Sequence, residues 1–152
     1  MCTVHFQYMM RYDNGTLCQH LIVIKLALDA CISVCNVWDQ SSVYIFLRQH
    51  RGKVTGIAFN PVSPHLYSCG SVGSLALHDT QDDKYQLMRL LTNTVARGDA
   101  RCPNTLTISS DGRHVAFVGP TDFTISVVDA KSLDEVHICC STICCVLFCV
   151  LQ

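Results

Sequence analysis

The chain has 152 residues, of which 49% are hydrophobic and 15% charged, with a formal net charge of −1. That length suits one domain, the apolar content rules out a disordered chain, and the near-neutral balance leaves no basic field to hold nucleic acid. Eleven cysteines are present, five of them between Cys139 and Cys149.

The apolar residues fall into short β-type runs separated by turn residues, without an amphipathic helix longer than two turns. Strands are expected near 3–9 and 16–25, around Asp13-Asn14-Gly15. Asn-Gly readily supplies the positive φ of a tight hairpin turn. Asn14-Gly15-Thr16 also spells a glycosylation acceptor, but no secretory signal is evident. The apolar run Leu21–Leu28 is short, starts late and contains Lys25. A reducing cytosol with free thiols is therefore the expected setting.

Three later segments align, each an alternating strand closing on aspartate: Ala30–Asp39, Gly70–Asp79 and Pro120–Asp129. Upstream partners align as well, in Val54–Pro61 and Asn104–Gly112. Asp39 to Asp79 is 40 residues and Asp79 to Asp129 is 50, the excess fitting an inserted loop, Thr92–Pro103. Gly70-Ser71-Val72-Gly73-Ser74 reads as a strand-to-strand turn, and Asp39, Asp79, Asp111 and Asp129 take turn or strand-end positions. A repeat of about 40 residues with four strands has the spacing of propeller blades.

These residues resemble WD40 repeats. Val37-Trp38-Asp39 resembles the Trp-Asp signature closing a blade's third strand, and Gln49-His50-Arg51-Gly52-Lys53-Val54 the Gly-His opening of the next blade, with Gln49 in place of glycine. Phe59-Asn60-Pro61 and Ser109-Ser110-Asp111-Gly112 resemble the family's Phe-Ser-Pro-Asp-Gly turn. The resemblance implies an all-β fold: a partial WD40 β-propeller of two to three four-stranded antiparallel blades, not closed. It places a degenerate blade or unrelated segment at 1–31, repeats at 32–136 and a Cys-rich apolar tail at 137–152. It also implies a hydrogen-bonded set in which His50 meets a hydroxyl, for which Ser68 is the candidate, a turn Asp and a Trp. Val72 and His78 stand where the last two are expected, so strand pairing and apolar packing are expected to hold this blade instead. The structural positions are thus Trp38, Asp39, His50, Ser68, Asp79, Asp111, Gly112 and Asp129.

Propellers close with four to eight blades, and twelve strands make only three. A piece of a larger array is expected, a truncated isoform or partial product; alternatively three chains or a partner complete a ring. No catalytic pair, phosphate loop or dinucleotide fingerprint is present, so no enzyme and no cofactor are expected. No Cys-x2-Cys pair exists, and Cys31 and Cys35 on one strand lie too far apart to share an ion, so no metal is expected. Arg97-Gly98-Asp99 matches a tripeptide that acts outside cells and is read as chance, while the loop around it is a candidate interaction site.

The tail Cys149-Val150-Leu151-Gln152 fits a farnesylation box, and Cys139, Cys140, Cys144 and Cys145 are candidates for palmitate, without an upstream polybasic run. Two functions are therefore weighed. The first is a protein–protein interaction scaffold. Within the family, His50–Glu135 is most similar to a long member associated with centrioles and microtubules, which implies centriolar or microtubule-linked partners and a place at the centrosome and cytoskeleton. The alternative is a peripheral membrane protein anchored through Cys149.

Overall fold

The structure is a computed structural model that describes residues 3–13, 16–26, 32–36, 45–81, 85–97, 106–121 and 124–139. Every regular element among these residues is a strand. Twelve strands form three four-stranded sheets, each an antiparallel meander in chain order.

The first sheet comprises β1 (Thr3–Asp13), β2 (Thr16–Leu26), β3 (Ile32–Asn36) and β4 (Ile45–Leu47). β1 and β2 pair along their whole length, from Thr3 opposite Leu26 to Asp13 opposite Thr16. They therefore form the hairpin expected about Asp13-Asn14-Gly15, and they run further than the 3–9 and 16–25 read from the sequence.

The second sheet comprises β5 (Val54–Phe59), β6 (His65–Gly70), β7 (Ser74–Asp79) and β8 (Gln86–Leu91). The third comprises β9 (Leu106–Ile108), β10 (His114–Val118), β11 (Ile125–Asp129) and β12 (Glu135–Cys139). β7 ends on Asp79 and β11 on Asp129, as the alternation implies. β12 crosses the position between residues 136 and 137 at which the tail was placed.

Register explains why β6 and β7 are buried on both sides. Ser68 faces Ala76, Gly70 faces Ser74 and Leu66 faces His78, so these six residues share one face of the second sheet. Tyr67 and Cys69, paired with Leu77 and Leu75, occupy the other. A strand covered on both faces reads as a continuous apolar run rather than a clean alternation, as Leu75-Ala76-Leu77 does.

The Tyr67 face packs against the third sheet. Ala58, Tyr67, Cys69, Leu75 and Leu77 meet Leu106, Ile108, Val115, Phe117 and Val128 in one core. Burial of each large side chain contributes about 1.5–3 kcal/mol, so this seam is the principal stabilising contact between the two sheets. Two polar ties cross it. The Tyr67 hydroxyl donates to the Ala130 carbonyl at 2.7 Å, and Asn60 Nδ2 donates to the Gly112 carbonyl at 2.8 Å.

Connections alternate between the two ends of each meander. The β5–β6, β9–β10 and β11–β12 turns lie at one end, where Asn60 reaches Gly112. The β6–β7 turn, the loop after β8 and the β10–β11 turn gather at the other.

Candidate functional site

The buried face of the second sheet carries a polar cluster centred on His50. Its Nδ1 lies 2.7 Å from Ser74 Oγ and its Nε2 lies 2.7 Å from Ser68 Oγ. A neutral imidazole donates through one nitrogen and accepts through the other, and the two hydroxyls match either tautomer. Burial lowers the His50 pKa from 6.5 to about 4, so the ring is neutral near pH 7. The hydroxyl partner Ser68 is the one the sequence suggests; Ser74 is not. It opens β7 just past the turn and stands opposite Gly70, a pairing that the residue order alone does not signal. Ser74 thus gives His50 a second hydrogen-bond partner, beside the strand pairing and apolar packing expected to hold this blade.

Gly70 makes room for this arrangement. A Cβ there would lie 2.6 Å from both His50 Nδ1 and Ser74 Oγ. His78 sits on the same face, fully buried, with neither ring nitrogen hydrogen-bonded. Burial first, and the nearby His50 second, lower its pKa to about 4.

The remaining positions singled out by the sequence separate from this cluster. Asp79 Oδ1 accepts from the Gln81 amide at 2.8 Å. Asp111 accepts from Ser109 Oγ at 2.6 Å and the Arg113 amide at 3.0 Å, and these bonds, the serine's first, lower its pKa. Gly112 follows at φ +69°, and a Cβ there would collide with Asn60 Oδ1. Asp129 Oδ1 caps the β11–β12 turn through the amides of Ser132 and Lys131 at 2.8 and 2.9 Å, which lower its pKa, the Ser132 bond most. Asn60 combines two tasks, accepting from the Val62 and Ser63 amides while reaching across to Gly112. Trp38, Asp39, Cys149, the tail cysteines beyond Cys139 and Gly98–Pro103 lie outside the described residues. Among the described residues, no three His, Cys, Asp or Glu side chains are grouped to hold a metal ion.

The opposite end from Asn60 forms a continuous surface. The start of the inserted loop is sewn to the β6–β7 turn and to the end of β10. Thr94 and Val95 amides donate to the Gly73 carbonyl at 3.0 and 3.3 Å, and the Ala96 amide donates to Val118 at 2.9 Å. A cleft of about 560 Å³ opens on one side of this loop, lined by Gln49, Arg51, Ser71, Val72, Ser74, Leu90, Thr92, Asn93 and Arg97. A second, of about 400 Å³, opens on the other, between residues 93–97 and Val118–Thr121. Gly73 has φ +90°, and a Cβ on it would sit 3.1 Å from the Val95 carbonyl oxygen, so the loop lies against bare backbone.

Two four-stranded antiparallel meanders packed face to face, with the repeat's turn chemistry at Asn60, Asp79, Asp111 and Asp129, define blades of a WD40 β-propeller. The architecture matches a chain in the crystal structure of the mitotic checkpoint complex with a TM-score of 0.63 at 18% identity, covering 78% of this chain and 36% of that one. The sequence matches the family described as WDR90/POC16, second beta-propeller, over residues 26–145, and the chain belongs to that family. It is 48% identical over 88 residues to WD repeat-containing protein 90 of Xenopus tropicalis and 40% identical over 86 residues to that of Homo sapiens, covering 58% and 57% of this chain. The chain spans about 5% of the length of each of these relatives.

Proposed function

We propose that this chain contributes a non-enzymatic protein-interaction surface to a WD40 scaffold, serving centriole, cilium and microtubule assembly together with further blades or further copies of itself. The observation that carries this reading is the sewn face: one loop tied by backbone hydrogen bonds to the β6–β7 turn of one sheet and to the end of β10 in the next. Such a surface is preorganised, so little conformational freedom is lost when a partner docks. The centriolar and microtubular assignment rests on the family resemblance, and the chain's own charge of −1 offers no general attraction to an acidic filament. Cytoplasmic placement, concentrated at the centrosome, follows from the same reading.

The test blocks the face. Thr92→Trp and Thr121→Trp fill the two clefts, while Val62→Trp alters an exposed residue at the opposite end. Expressed in ciliated cells as the full chain, the first two are expected to lose centrosomal enrichment and proximity-labelled partners, and the third to keep both. Equal behaviour of all three would remove the reading. A second reading, a lipid anchor at Cys149, is favoured only by the Cys-Val-Leu-Gln ending. It requires Cys149→Ser to shift the protein from membrane to soluble fractions, and an unchanged distribution eliminates it.

A further inference from the structure

The two clefts share Asn93 and Arg97, and their lining has an unbalanced charge. Among the described residues they present two guanidinium groups, Arg51 and Arg97, and not one carboxylate. Both guanidinium groups are available to an anionic partner on a chain whose net charge is −1. Arg97 is held in place. Its guanidinium donates to Asn93 Oδ1, and its Cγ lies 3.3 Å from where a Gly73 Cβ would be. A guanidinium oriented by a neutral amide keeps its charge and several N–H donors for an anion.

The rest of the lining suits an extended chain. Val72 and Leu90, both exposed above 40%, offer apolar contact beside the charges.

We propose that this face binds an extended acidic peptide segment of a partner protein. Its carboxylates pair with Arg51 and Arg97, and its apolar side chains lie on Val72 and Leu90. The inference rests on the reading of this end as the interaction face and adds the chemical class of what it takes. Carboxylate–guanidinium pairs are charge-assisted and bidentate, so each gives both energy and direction.

The test titrates a fluorescent hexaglutamate peptide against the full chain and follows its anisotropy, with hexaglutamine as the neutral control. Binding of hexaglutamate alone is expected, weakening as salt rises. Arg51→Glu and Arg97→Glu are each expected to weaken it about ten-fold or more. Arg113→Glu, in the β9–β10 turn at the far end, is expected to leave it unchanged, and circular dichroism checks that every variant is folded. No binding, or an equal loss with Arg113→Glu, overturns the proposal. If hexaglutamate fails while Thr92→Trp still abolishes proximity-labelled partners, the acidic class is wrong and the interaction face stands. If neither responds, both are wrong.

Discussion

Acid should unfold this protein through the two histidines buried against the second sheet. His50 and His78 both have pKa values lowered from 6.5 to about 4, chiefly by burial. An unfolded chain binds protons on these rings below pH 6.5, whereas the folded one does not until about pH 4. Their stabilising contribution is therefore complete above 6.5 and is lost as pH falls towards 4. Between about pH 7.5 and about pH 5 the loss works out at roughly 2 kcal/mol per ring, or roughly 4 kcal/mol together. That is a large share of the ~5–15 kcal/mol that holds a typical domain.

Urea unfolding followed by circular dichroism across this range measures the effect, and His78→Leu isolates one ring. Leucine fills a similar volume and removes two ring nitrogens that have no hydrogen-bond partner. The variant should lose roughly half of the pH dependence shared by the pair, whatever His65 contributes to both proteins. At neutral pH it should be no less stable than the parent. The aspartate caps at Asp111 and Asp129 do not confuse the comparison, because their lowered carboxyl pKa values place their losses at more acid pH. An identical pH profile in parent and variant would refute the assignment of His78 as a buried neutral ring.

Three further outcomes test the packing. Asn60→Ala removes three hydrogen bonds, including the tie to Gly112, and should lower unfolding free energy by about 2–4 kcal/mol in urea melts. Tyr67→Phe deletes the bond to the Ala130 carbonyl and should cost about 1–2 kcal/mol by the same measurement, with the core otherwise intact. Gly73→Ala puts a side chain at φ +90° and 3.1 Å from the Val95 carbonyl oxygen, so a loss of at least about 1 kcal/mol in urea unfolding is expected.

Much of the architecture was legible in the residue order. Alternating runs ending on Asp79 and Asp129, and the turns at Gly70–Ser74 and Ser109–Gly112, carry local information. Turn residues act through their own φ and their nearest amides, and strand periodicity needs no distant partner. The resemblance to WD40 repeats also offered Ser68 as the hydroxyl beside His50, and its Oγ lies 2.7 Å from His50 Nε2.

Other features depend on residues far apart in the chain. Ser74 becomes a partner of His50 only when β6 and β7 fold back in register with Gly70 between them. Asn60 looks like an ordinary turn residue until the third sheet brings the Gly112 carbonyl within 2.8 Å. His78 occupies a position where a tryptophan is expected, and nothing local reveals that its ring is fully buried without a partner. The clefts beside Arg97 exist because amides at 94–96 reach Gly73 and Val118 from opposite sides. Local chemistry and periodicity thus determined strands, turns and repeat spacing, since each depends on neighbours in sequence. Burial, hydrogen-bond partners across sheets and the shape of the face were decided only by packing, because they depend on which distant surfaces exclude water from one another.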